Sequence, residues 1–135
     1  MKKLLLILLC LPMIGFGQFN LKTYVPDDNF ENYLEANSMG DGITLNDSIN
    51  TLSVEILMSL DVSNENISDL TGIEDFTSLL MLKCYSNPLT TLDVSNNIYL
   101  TDLRCQSNQL TSLDVSQNTA LKTLFCFSNF LTTLD

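Results

Sequence analysis

One pattern of 21 residues recurs in the stretch LKCYSNPLTTLDVSNNIYLTD (82–102), in LRCQSNQLTSLDVSQNTALKT (103–123) and in LFCFSNFLTTLD (124–135). Self-similarity at a period of about 20–50 residues is typical of solenoids, in which each copy forms one coil that stacks on the previous one. A related coil of 22 residues precedes Leu82. We predict an α+β repeat fold over residues 57–135, with a parallel β-sheet, about three to four coils and an incomplete last repeat.

The three cysteines of the repeats, Cys84, Cys105 and Cys126, occupy the same position in successive copies. Stacked strands lie about 4.8 Å apart, and parallel side chains keep their Cβ atoms near that distance, which is longer than the roughly 3.8 Å that a disulfide favours. We therefore predict a buried, unpaired column that packs as small hydrophobic side chains. A metal site would favour His or CxxC spacing, and the chain has no His.

Asparagines follow each predicted strand at Asn87, Asn108 and Asn129. An amide side chain offers both donors and an acceptor, so a stacked column of asparagines can satisfy backbone groups that the turn would otherwise bury unpaired. We predict that this ladder is structural.

Alternate residues of a strand point to opposite faces. If Leu82 and Cys84 point into the core, their neighbours point outward, and the same holds one and two coils later. Exposed aromatic side chains beside cations are typical of interface hot spots. The predicted binding residues form two outward columns: Lys83, Arg104 and Phe125, and Tyr85, Gln106 and Phe127.

Each copy also divides into near-halves, because LDVSxN echoes the first half of the repeat. We predict a second, shorter ribbon on the far side of the solenoid, with Asp93, Asp114 and Asp135 in an outward column. Like charges in a row repel unless they are screened or bridged. Two interpretations stay open: solvated charge that protects a strand edge, and a ladder that binds divalent cations. We predict no cofactor.

Residues 1–17 have the layout of a secretory signal peptide. Lys2 and Lys3 precede the apolar run 4–11, and Gly17 offers a small residue near the cleavage point. The run is too short to span a bilayer. We expect export through the Sec pathway to a secreted, periplasmic or outer-surface location, with no transmembrane helix in the mature chain.

Residues 18–56 are predicted to cap the open edge of the first coil, because a terminal repeat otherwise exposes its core. Asp27 or a neighbouring residue is the predicted N-cap of a helix over about 27–36 with an acidic first turn. Phe30 and Leu34 lie four residues apart and give that helix one apolar face.

Without the leader the chain has four basic and sixteen acidic residues, a formal charge of −12. Such a surface repels nucleic acid and favours cationic partners. The chain lacks His, a Gly-rich phosphate loop and a carboxylate pair whose spacing implies a cleft. We therefore predict that it is not an enzyme.

The template LxxLxLxxNxL, matched from Leu79, Leu100 and Leu121, resembles that of leucine-rich repeats. The motif NxLTxLDVSxNxxLxxLxC is similar to the repeats of exported leucine-rich repeat proteins of Bacteroidota-type bacteria. The stretch NISDLTGIEDF (66–76), with the helix before it, resembles the internalin-like N-terminal arrangement. The resemblance implies a curved leucine-rich repeat solenoid with an N-terminal capping helix, and a role in surface adhesion or recognition.

Together these patterns predict an exported or cell-surface binding module that recognises a protein or a glycan through its outward columns. The alternative is a structural or assembly repeat, part of a longer surface protein, with no ligand of its own. Because the sequence ends at Asp135 within a coil, we also expect self-association through an uncapped C-terminal edge.

Overall fold

The computed structural model describes residues 21–135, and the predicted signal peptide lies outside the described residues. Within this range the chain forms short strands joined by turns, with two helices near the start and a 3-10 helix at Ile73–Asp75. In chain order the elements are β1 (Lys22–Tyr24), α1 (Asp28–Ala36), β2 (Ser48–Asn50), α2 (Thr51–Val54), β3 (Ser59–Asp61), β4 (Met81–Lys83), β5 (Asp102–Arg104), β6 (Ser112–Leu113), β7 (Thr123–Phe125) and β8 (Thr133–Leu134).

The repeat produces a four-stranded parallel sheet in the order β3-β4-β5-β7. Leu60, Leu82, Leu103 and Leu124 lie in one register across it. Because successive coils have nearly the same length, each coil returns the same side chain to the same place. The first three leucines are buried and Leu124 is half-buried, so the core runs as a continuous column behind the sheet.

A second parallel ribbon, β6 with β8, lies outside this sheet. It begins one coil later than the sequence pattern predicts, because residues 91–94 form no strand. The coil below them turns into the 3-10 helix Ile73–Asp75, so it offers residues 91–94 no extended neighbour on that side.

Helix α1 is tied to the first coil through its N-cap, Asp27. Its Oδ1 accepts hydrogen bonds from the backbone N–H groups of Asn29 and Phe30, each at 3.0 Å. Its Oδ2 accepts from the N–H and hydroxyl of Ser68, both at 2.8 Å, and from the N–H of Asp69 at 3.1 Å. Burial raises the pKa of Asp27, but the hydrogen bonds outweigh it and leave the pKa below its ordinary value.

The N-terminal segment packs closely on the same coil. Phe30 stacks on Phe76 with ring centroids 6.2 Å apart. Gly72 has a φ of 104°, and a Cβ at this position would lie 2.7 Å from the carbonyl oxygen of Tyr24. Only glycine allows both this conformation and this approach. The strand pair β1–β2 therefore lies directly against the first coil.

Candidate functional site

The outward positions of the sheet form one continuous face, which we call the strand face. Asp61, Lys83, Arg104 and Phe125 lie side by side in register, one on each strand. The structure therefore brings together the first predicted column, Lys83–Arg104–Phe125, and adds Asp61 at its end.

Both cations of this column are paired with carboxylates. The ammonium of Lys83 lies 3.2 Å from Asp61 Oδ2. Arg104 binds Asp102 through two hydrogen bonds, Nε to Oδ1 at 3.0 Å and Nη2 to Oδ2 at 2.9 Å. The hydrogen bond from Arg104 lowers the pKa of Asp102, so the pair stays ionised at neutral pH.

The sequence reasoning missed these two aspartates. The available signals were an acidic residue two positions before Arg104 on the same strand face, and one a full coil before Lys83. Opposite charges that are neighbours across strands, or on one face of a strand, can pair.

Two exposed aromatic rings lie beside the ion pairs. Phe125 is 42% exposed and Phe127 is 63% exposed. Their ring centroids are 6.4 Å apart with planes tilted by 55°, and the guanidinium carbon of Arg104 lies 5.3 Å from the centroid of Phe125. A cation at this distance from a ring is attracted to its π face. Arg104 therefore holds Phe125 in place in addition to binding Asp102.

The second predicted column is less exposed than the sequence suggests, since Tyr85 and Gln106 are half-buried. The side-chain oxygen of Gln106 is buried and has no hydrogen-bond partner among the described residues. Among the strand-face residues described, the exposed apolar side chains are therefore those of Phe125 and Phe127, beside the ion pairs.

The asparagine ladder joins each coil to the one before it. Asn108 accepts a hydrogen bond from the N–H of Leu89 at 3.2 Å. Its amide donates to the carbonyl oxygens of Cys84 and Cys105, both at 3.0 Å. Asn87 and Asn129 make the equivalent bonds in their own coils. These side chains form hydrogen bonds with backbone groups of the turns and are not part of the strand face.

A second asparagine ladder was missed. Asn97 donates to the carbonyl oxygens of Ile73 and Phe76, at 2.8 and 3.1 Å. Asn118 donates to those of Val94 and Asn97, both at 2.9 Å. Both asparagines are buried. Their spacing of 21 residues at the end of each LDVSxN segment was the signal that could have found them.

All three cysteines in the described range are free thiols. Burial raises the pKa of Cys84 and raises that of Cys105 to about 12, so neither is a thiolate at neutral pH. Cys126 departs from the predicted burial, because it is only half-buried. No further coil of the described residues stacks on it.

The aspartates considered as cation ligands cap turns. Asp93 Oδ1 accepts from the N–H of Ser95 at 2.9 Å, and Asp114 Oδ1 accepts from that of Ser116 at 2.8 Å. The backbone hydrogen bond from Ser95 lowers the pKa of Asp93. Both aspartates line a groove of about 700 Å³ away from the strand face. Asp135, the third of these aspartates, lies beside Asp114, since its carbonyl accepts from Val115 N–H. The divalent-cation ladder stays a prediction.

A different group of carboxylates lies near helix α1. Oxygens of Asp28, Glu31 and Asp47 come within 4.8 Å of one another. Glu31 is buried, and its two oxygens accept from the N–H groups of Asn46 and Asp47, at 3.0 and 3.1 Å. Since both oxygens of the central carboxylate are engaged, this group fastens the loop before β2 to the helix.

The sequence and the fold of the chain are similar to those of known proteins. No family model matches it. It is 44% identical over 74 residues to Internalin J of Listeria monocytogenes serotype 4b (strain F2365), a match that covers 55% of this chain and 8% of that protein. It is 38% identical to the solved functional domain of InlJ from Listeria monocytogenes, with a TM-score of 0.68 over 86% of this chain and 28% of that one. The chain has a leucine-rich repeat fold and is similar to internalins in sequence and structure.

A second solved internalin supports the fold of this internalin-like chain. The internalin InlF from Listeria monocytogenes str. 4b F2365 is 24% identical, with a TM-score of 0.71 over 83% of this chain and 32% of that one. The InlJ domain is described as including a cysteine ladder. In the internalin-like chain, Cys84, Cys105 and Cys126 take one position in successive coils. No helix within residues 21–135 has the length and apolar character needed to cross a membrane.

Proposed function

We propose that this internalin-like chain is a recognition module of an exported or cell-surface protein, and that it binds a protein or glycan through the strand face. The observation that carries the proposal is the exposed pair Phe125 and Phe127, held beside Arg104 on a rigid sheet. Large side chains that are exposed and already ordered lose little conformational entropy on binding. The likeness to Internalin J supports a protein-interaction role.

The N-terminal segment has a separate role in this proposal. Residues 18–56, with helix α1, cap the first coil of repeats 57–135. The bonds of Asp27 to Ser68 and Asp69, and the stacking of Phe30 on Phe76, support this role. Export of the chain follows from the predicted signal peptide in residues 1–17.

The test compares binding by three forms of the chain. The wild type, Phe127→Ala and Tyr99→Ala are applied to a glycan array and to a displayed library of random dodecapeptides. Tyr99 is the matched control, because it is an exposed aromatic residue outside the sheet. We expect ligands that bind the wild type and Tyr99→Ala and lose at least about tenfold in affinity with Phe127→Ala, as hot-spot truncations do. If no ligand depends on Phe127 while all three forms melt at the same temperature, the strand face is not the binding site.

A further inference from the structure

The charges on the strand face indicate what kind of partner it takes. Resting on the proposed function, we infer that the strand face binds a basic, apolar segment of a partner protein, rather than an acidic segment or an anionic polysaccharide.

Neither cation of the face is free to bind an anionic group. In the structure Lys83 is paired with Asp61, and Arg104 binds Asp102 through two hydrogen bonds. An anionic ligand would meet a carboxylate beside each of these cations and find no unpaired positive charge on the two strands.

The acidic residues around the face far outnumber the basic ones. Of the four basic residues in 21–135, only Lys122 has no carboxylate partner within that range. Sixteen acidic residues lie in the same range. At the edge of the face, Glu65 is exposed and makes no ion pair among the described residues. The field over the face is therefore negative, and such a field steers cationic partners toward it.

The negative charge at this end of the face also acts on Tyr33 of helix α1. Burial raises the pKa of Tyr33, and the negative charges of Asp61 and Glu65 raise it further. A partner that carries positive charge matches this surface, and Lys and Arg side chains have this property.

The face also carries apolar surface. The rings of Phe125 and Phe127 expose apolar patches on the same face as the ion pairs. Apolar side chains of the partner gain from covering these patches, since burial of apolar area drives association. The expected segment therefore carries both apolar and basic residues.

The experiment uses the random dodecapeptide library with the full mature chain. Peptides are selected on the wild type and counter-selected on Phe127→Ala, so that only binders that depend on the face remain. Their affinities are then measured for Asp61→Asn/Asp102→Asn and for the control Asp93→Asn/Asp114→Asn. Both double variants remove two negative charges, but Asp93 and Asp114 line the groove away from the strand face.

We expect the selected peptides to combine Lys or Arg with aromatic or aliphatic residues. Their affinity should fall about tenfold for Asp61→Asn/Asp102→Asn and less than about twofold for the control variant. For the wild type, their affinity should fall about tenfold when the salt concentration is raised from 50 to 500 mM. Face-dependent peptides that are neutral or acidic overturn the inference and leave the proposed function intact. The inference is also overturned if glycans bind in a way that depends on Phe127 and no peptides do, and the proposed function again stays intact. Equal losses in the two double variants also overturn it, since net charge alone would then explain them. If neither peptides nor glycans depend on Phe127, the proposed function fails as well.

Discussion

Replacing Gly72 with alanine tests how closely the N-terminal segment packs on the first coil. At a φ of 104° an L-residue costs about 1–2 kcal/mol. The new Cβ would also lie 2.7 Å from the backbone oxygen of Tyr24 and 2.9 Å from Val25 Cγ2. Forced contacts of this kind cost about 1–3 kcal/mol. The lower entropy of the unfolded alanine chain returns about 0.4–1 kcal/mol. We expect the free energy of unfolding to fall by about 3 kcal/mol.

Gly42 provides the matched control. Its φ is 86°, and a Cβ there would meet no atom within 4 Å. Gly42→Ala therefore bears only the backbone cost, about 1 kcal/mol after the entropy term. At about 4 °C per kcal/mol for a chain of this size, the melting temperature should fall by about 12 °C for Gly72→Ala and about 4 °C for Gly42→Ala.

The assay is thermal unfolding followed by circular dichroism, with urea titrations at 25 °C to obtain the free energies. A loss for Gly72→Ala no larger than the loss for Gly42→Ala would refute the reasoning, because the contact with Tyr24 would then carry no energy. A partial melt confined to the N-terminal segment would show that β1 detaches without unfolding the repeats, which also contradicts the expected single cooperative transition.

Three further predictions follow from the same contacts. Asp27→Asn should lower the free energy of unfolding by about 2 kcal/mol at pH 7. The native pKa of Asp27 is lowered, so most of this difference should be present above the unfolded pKa of about 3.9 and should disappear as the pH falls through the native pKa. If urea melts at pH 2 show an undiminished difference, this prediction is wrong. Asn108→Ala should lower the free energy of unfolding by about 3 kcal/mol in the same melts, because it leaves buried backbone groups unpaired. The exposed control Asn96→Ala should lower it by less than about 0.5 kcal/mol. Native protein treated with N-ethylmaleimide should be labelled at the half-buried Cys126 long before Cys105, and equal labelling rates by mass spectrometry contradict the burial gradient.

The sequence predicted the repeat well, because the pattern is redundant. Every coil contributes an independent copy of the same signal, so the equivalence of Leu82, Leu103 and Leu124 could be read without knowing any contact. The sequence reasoning was less successful where coils differ. It predicted a far-side ribbon at residues 91–94, where the longer first coil forms a 3-10 helix, and it predicted burial for Cys126, which no further described coil covers.

The binding residues show the same division. Strand alternation predicted that Lys83 and Arg104 point outward, but it could not show that both are neutralised. Pairing of Lys83 with Asp61 depends on two residues 22 positions apart becoming neighbours across strands. The period places the two residues on neighbouring strands, but whether they pair depends on side-chain conformations, which the period does not encode.

By itself the sequence determined the register of the coils, the residues that line their core and the asparagines that close their turns, because a fixed period returns each side chain to the same position. The tertiary structure decided how the ends and the surface behave. It brought Asp27 to Ser68 across 41 residues, set Gly72 against Tyr24, and paired each cation of the strand face with an aspartate. These contacts join unlike segments, so their energies depend on distances that exist only once the coils are stacked.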